Sequence, residues 1–197
     1  MGTEMKQVFP FEDRTLTLRD GRRVRVRRGG VGDAVAFREY IFRVSPTSDQ
    51  IGLYQNEVGP IEDYERQMRR ADPVTGGLSL LAECEDVPGV IIADCCLNTF
   101  PRRKLGGVLI LGILCDEAWR GVGLGRALLE ASLVWARANP AVRRVELGVL
   151  ETNPGAIALY ESLGFVAEGR ARARFLQEDG SLVDDLSMAL DVGSAGG

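Results

Sequence analysis

At 197 residues, with 45% apolar and 26% charged side chains, the chain has the size and composition of one folded domain with a full core. A net charge of -4 points away from nucleic acid as the main partner, because that binding rests on neutralising phosphates. The chain contains no histidine, so any catalysis must proceed without imidazole as base, nucleophile or metal ligand.

No stretch approaches the ~20 apolar residues of a membrane span, and the longest run, Val108 to Cys115, is interrupted by Gly112. The opening MGTEMKQVFPFEDR lacks a basic segment followed by an apolar core, so the expected location is cytoplasmic, with no membrane partner. Cys84, Cys95, Cys96 and Cys115 lie in or beside apolar runs without CxxC spacing. They read as reduced, buried thiols, and no metal site is expected.

Residues 1–13 read as an N-terminal extension, 14–191 as a single domain and 192–197 as a flexible tail. Thr15 to Arg28 alternates around Asp20-Gly21, a hairpin signature. Its second arm, with Arg22, Arg23, Arg25, Arg27 and Arg28, reads as an anion patch or as the solvated face of an edge strand. Asp33 is placed to cap a helix to about Val44, with Phe37, Tyr40, Ile41 and Val44 on one face. A second helix is expected over about Pro60 to Ala71. The loop-like stretch between the helices, Ser45 to Gly59, is long enough to serve substrate access.

From Leu78 the period shortens. Leu78 to Glu85, Val90 to Leu97 and Val108 to Cys115 read as a three-strand meander. A helix over about Val122 to Ala138 follows, with Leu124, Leu128, Ala131 and Trp135 in register, then a strand over Arg144 to Leu150. Asn153-Pro154 opens a helix that closes at Gly164, with Asn as cap and Pro at the first helical position. Strands at about Phe165 to Leu176 and Leu182 to Leu190 complete an α/β (α+β) domain: a mixed, mostly antiparallel sheet of about seven strands with helices on both faces.

The stretch VLILGILCDEAWRGVGLGRAL, from Val108 to Leu128, joins a strand to a helix through Gly121, Gly123 and Gly125. Amides at a helix start have no intrahelical partner, and side chains missing at alternate positions let a bulky anion approach them. A phosphate-binding P-loop is excluded, because Arg126-Ala127 stands where it needs Lys and Ser or Thr. A dinucleotide fingerprint fits poorly: the glycines alternate, the link from Cys115 is long, and Glu146 lies near the start of the next strand rather than its end.

This stretch resembles the acyl-CoA site of the GNAT superfamily of N-acetyltransferases. The family's pattern (Arg or Gln, two residues, Gly, one residue, Gly or Ala) is met by Arg120-Gly121-Val122-Gly123-Leu124-Gly125. A second match lies downstream: Glu146-Leu147-Gly148-Val149, then Asn153, Ala156, and Leu159-Tyr160-Glu161-Ser162-Leu163-Gly164-Phe165. The resemblance spans about Leu16 to Leu190 and is weakest from Ser45 to Ala71.

It implies that the coenzyme A pyrophosphate sits on the N–H groups of Gly121 to Arg126, and that pantetheine pairs with the strand at Ile113, Leu114 and Cys115. Arg120, Asn153 and Ala156 join that cofactor-binding set, and Gly112 marks a bulge or a close backbone approach. A backbone N–H of the same strand would polarise the thioester carbonyl. Tyr160 is implied as the acid that protonates the departing thiolate; its alternative is to fill space between helix and sheet.

The base stays open among Glu83, Asp94, Asp116, Glu117 and Glu146. An acyl-cysteine route through Cys115 lacks an evident activator, so direct transfer of acetyl from acetyl-CoA to a primary amine is preferred, with a different acyl group or a protein amine as the alternative within the same class. A non-catalytic acyl-CoA-binding module is the reading from another class. Edge strands leave a homodimer open.

Overall fold

In the computed structural model the described residues are 11–45, 55–71, 76–99, 105–177 and 179–193. They form β1 (Arg14–Thr17), β2 (Arg23–Arg28), α1 (Ala34–Val44), α2 (Ile61–Arg70), β3 (Leu78–Cys84), β4 (Ile91–Thr99) and β5 (Val108–Cys115). After them come α3 (Leu124–Ala138), β6 (Arg144–Leu150), α4 (Pro154–Ser162), β7 (Val166–Leu176) and β8 (Leu182–Asp191). One sheet holds all eight strands in the order β1-β2-β3-β4-β5-β6-β8-β7, so the expected seven becomes eight.

Neighbours pair antiparallel except β5 and β6. That parallel contact is three pairs long, Val108 with Arg144, Leu109 with Val145 and Ile110 with Glu146. Beyond Ile110 and Glu146 the two strands part.

Helices cover both faces. Leu124, Leu128, Leu129 and Trp135 of α3 and Tyr160 of α4 bury against Leu80, Leu97, Leu111, Val145 and Leu147. On the other face Phe37, Tyr40 and Val44 of α1, with Tyr64 and Met68 of α2, pack on Leu81 and Ile91. The alternation of β3 sends Leu80 and Leu81 to opposite cores, as a strand buried on both faces requires.

Local chemistry overrides three expectations. Asp33 precedes α1 but does not cap it with its side chain: its carboxylate takes Arg27 at 2.7 Å and the Gly30 N–H at 2.9 Å. The arginine row is neither an anion patch nor an edge, because β2 lies between β1 and β3, and Arg23, Arg25 and Arg27 pair with Glu85, Asp13, Asp33 and Glu83. Gly112 sits at no bulge; it pairs in regular register with Cys96, and a Cβ there would lie 3.1 Å from the Cys96 sulfur. Close approach is therefore its reason. Of the access loop, residues 46–54 lie outside the described residues, as do 1–10 of the extension and 194–197 of the tail.

Candidate active site

Where β5 and β6 part, a cavity of about 510 Å³ opens between the end of β5, the start of α3 and the first turns of α4. Ile113, Leu114 and Cys115 form its strand wall, Arg120, Gly121, Gly123, Gly125 and Arg126 its loop, and Asn153, Ala156 and Tyr160 its α4 side. The structure thus brings together most of the residues named from the sequence. Two do not present side chains there. Leu124 is fully buried in the core, and Val122 packs against it while its carbonyl accepts from the Arg19 N–H at 3.1 Å.

The glycine loop is shaped by φ. Gly121 at +74° and Gly123 at +96° hold left-handed conformations that L side chains rarely adopt. Gly123 is the residue before α3, whose helix begins at Leu124 rather than Val122. The N–H groups of Leu124, Gly125 and Arg126 therefore fall in the first turn, where helix geometry supplies no intrahelical acceptor. Arg120 closes the loop, its Nε donating to the Cys115 carbonyl at 3.0 Å.

Cationic and apolar side chains line the cavity together. Arg19, Arg120 and Arg126 line it and, among the described residues, no carboxylate does, although the whole chain is acidic. Arg126 is steadied by Ser162 Oγ at 2.7 Å. Ile113, Leu114, Ala156 and Leu159 add an apolar lining. A cationic cradle with open backbone joined to an apolar slot fits a diphosphate carrying a long, weakly polar arm.

Asn153 caps α4, its side chain accepting from the Ala156 N–H at 3.0 Å, with Pro154 at the first helical position. Tyr160 is 7% exposed, edge-on to Phe165 at 5.8 Å, and burial pushes its phenol well above the ordinary range, with Cys95 and Cys115 adding to the effect. It stays protonated at any pH the protein meets. Burial likewise pushes the Cys115 thiol up to about 12, with Asp94 adding, which suppresses the thiolate that covalent catalysis would need.

The five candidate bases separate by environment. Glu83 is tied to Arg27, Asp116 to Arg43 and the Ala118 N–H, and Glu146 to Arg144, while Glu117 is exposed on a turn. Asp94 differs, being buried with no hydrogen-bond partner for its Oδ1, and desolvation raises it to about 7. The Tyr40 hydroxyl lies against it, countering part of that rise, while donating to the Leu114 carbonyl at 2.8 Å.

Arg19, Trp119, Gly155 and Leu159 also line the cavity; of these the sequence pointed only to Leu159, as part of the second motif and without a site role. Arg19 arrives through a long-range contact: the β1–β2 turn docks on the glycine loop, with Arg22 over the Trp119 ring at 3.9 Å and bonded to the Ala118 carbonyl. No local pattern encodes that. Gly155 and Leu159 were within reach, since they share the α4 face of Ala156 and Tyr160 at helical spacing.

Known proteins share this fold and parts of this sequence. The chain is 29% identical over 127 residues to the L-amino acid N-acetyltransferase AaaT of Escherichia coli K12, covering 64% of this chain and 75% of that protein. It is 45% identical over 62 residues to the mycothiol acetyltransferase of Salinispora tropica, covering 32% of this chain and 20% of that protein. The chain thus spans about a fifth of the length of that relative. Among solved structures, an acetyltransferase of the GNAT family from Streptococcus pneumoniae superposes with a TM-score of 0.78 at 26% identity, covering 86% of this chain and 99% of that one. A phosphinothricin acetyltransferase from Sinorhizobium meliloti in complex with AcCoA gives 0.75 at 19% identity, over 92% and 93% of the two chains. The family model for the acetyltransferase (GNAT) family matches residues 46–165, which hold the glycine loop, Asn153 and Tyr160, and the chain belongs to that family.

Proposed function

We propose that this acetyltransferase moves an acetyl group from acetyl-CoA to a primary amine by direct attack, with both substrates held at once. The observation that carries the reading is the cavity at the strand opening, which combines three arginines and the glycine loop with an apolar lining and Tyr160. When bound, acetyl-CoA supplies an acyl carbon activated as a thioester. The amides of Leu124, Gly125 and Arg126 and the guanidinium groups of Arg19, Arg120 and Arg126 hold the pyrophosphate. The edge of β5 left free beyond Ile110 pairs with the pantetheine arm through Ile113 to Cys115, and one of its N–H groups polarises the acyl oxygen.

Tyr160 lines the same slot with a phenol that stays protonated, so it is suited to give its proton to the departing sulfur. The half-buried Cys115, whose thiol desolvation keeps neutral, supports transfer without an acyl-enzyme. The kinship with an L-amino acid N-acetyltransferase supports a small amine as acceptor.

Calorimetry with acetyl-CoA, followed by a thiol-release assay over a panel of amino acids, alkyl amines and peptide N-termini, tests the reading. Binding with turnover of at least one amine is expected. Binding without turnover favours a non-catalytic acyl-CoA-binding module, and no binding overturns both.

A further inference from the structure

The mouth between β5 and β6 has two sides. Val145, Leu147 and Val149 of β6 point into the core beneath α3 and α4, so Gly148 faces the opposite side of the sheet. Asp185 of β8 pairs in register with Leu150 and shares that opposite face, one strand back from the wall of the opening. Gly148 is where the two meet. A Cβ at position 148 would stand 3.0 Å from one Asp185 carboxylate oxygen and 3.3 Å from the other. The Asp185 carboxylate thus occupies the space that a side chain at 148 would fill, beside the stretch of β6 that has parted from β5.

A second, independent feature supports Asp185 from the edge. Between Ala171 and Phe175 the β7–β8 register breaks, so that three residues of β7 face one of β8. Ala173 at the crest has φ +51°, the only positive φ outside glycine among the described residues. The Ala173 N–H donates to Asp184 at 2.7 Å, and Arg170 ties Asp184 to Glu151 beside the start of α4. The distortion turns Arg174 toward Asp185, 3.1 Å away, leaving the guanidinium on the rim with 58% exposure while the carboxylate is nearly covered. Strain of this kind at a sheet edge holds a charged group where regular pairing would not put it.

Resting on the acetyl-transfer reading, we propose that Asp185 receives the acceptor's ammonium group and takes its proton at the face of the opening opposite Tyr160. A primary amine is an ammonium at neutral pH and must lose one proton before it can attack. Asp185 takes that proton, directly or through one water, and releases it to solvent. The neutral nitrogen then bonds to the acyl carbon as the carbon–sulfur bond breaks. The sulfur takes a proton from Tyr160, and the second proton lost by the nitrogen restores the phenol, leaving amide, free thiol and one released proton. Arg174 is a counter-ion on the rim that the arriving ammonium displaces. The other charged groups facing this side from β6 are Arg144 and Glu146, which pair with each other, while Arg144 also pairs with Glu168 of β7 and Asp191 of β8.

The test uses the full chain and the best acceptor found in the amine panel. Asp185→Asn should lower kcat/KM for that amine by ~100-fold or more at pH 7, with acetyl-CoA affinity within about twofold of wild type. Raising the pH to 9 should recover at least ~10-fold of the loss, because the free-amine fraction then rises without help. Arg174→Gln, which removes the ion pair alone, should stay within about fivefold. A structural salt bridge would make the two variants alike and the loss independent of pH; either result overturns the proposal. Should Asp185→Asn fail to bind acetyl-CoA and so prove misfolded, Gly148→Ala displaces the carboxylate from the other side and must give the same pH-recoverable loss. A wild type inert toward every amine overturns the transfer reading instead.

Discussion

The Nε–H of Arg120 donates to the Cys115 carbonyl at 3.0 Å, tying the glycine loop back to the strand that leads into it. One side chain therefore fixes the distance between the glycine-loop amides and the end of β5, the two surfaces proposed to hold pyrophosphate and pantetheine. Arg120→Ala should weaken acetyl-CoA binding by ~10–100-fold, the range for losing a charged hydrogen bond, as read by calorimetry. Arg120→Lys should not restore it, because a flexible ammonium lacks the planar fork whose internal Nε–H holds the carbonyl while its terminal nitrogens stay directed elsewhere. An unchanged Kd in Arg120→Ala would show that the loop keeps its place without this bond.

Tyr160→Phe should lower turnover by ~10²–10⁴ while leaving acetyl-CoA affinity nearly intact. Because burial lifts the phenol well above its ordinary value, wild-type turnover should show no alkaline decline from this group below pH 10. A rate that survives the substitution would make the ring a spacer between α4 and Phe165.

Cys115 lines the slot, yet its thiol is held neutral by burial and by the nearby Asp94 charge. Cys115→Ser should retain turnover within about fivefold. Intact-protein mass spectrometry after mixing with acetyl-CoA alone should find no acetylated enzyme; an acetyl adduct abolished by the substitution would reinstate a covalent route.

Much of the site was legible because it depends on backbone and local spacing. Alternating glycines, Asn-Pro at a helix start and a tyrosine seven residues beyond Asn153 are patterns of neighbouring residues, and the chain folds each where it stands in sequence. The element order was legible from period changes for the same reason. What could not be read depends on chain segments far apart. Arg19 joins through the docking of a distant turn, and Gly148 matters through a carboxylate on β8. Asp33 was misassigned because Arg27, invisible to a capping rule, outcompetes the helix amides for its oxygens.

Asp94 gives the stability a characteristic pH dependence. Its folded value of about 7 exceeds its ordinary 3.8, so the folded chain holds more protons than the unfolded one between those limits. Stability should therefore fall as pH rises through that window, by about 4 kcal/mol at most. Asp94→Asn should flatten this slope and raise Tm at pH 8 by several degrees, with little effect at pH 4. Thermal unfolding at the two pH values decides it, and a wild-type Tm that climbs from pH 4 to 7 would contradict the assignment.

The short parallel contact of β5 with β6 makes the sheet two half-sheets joined by three rungs, β1 to β5 on one side and β6, β8 and β7 on the other. A ligand lodged in the gap and touching both halves acts as a clasp across a seam. Loading with acetyl-CoA should accordingly slow amide hydrogen exchange most along residues 111–115 and 147–150, the lips of the seam, and far less in the β1–β2 hairpin. On the proposed direct-transfer reading, the same weakness of pairing leaves room for two substrates and makes the coenzyme a structural tie between the halves.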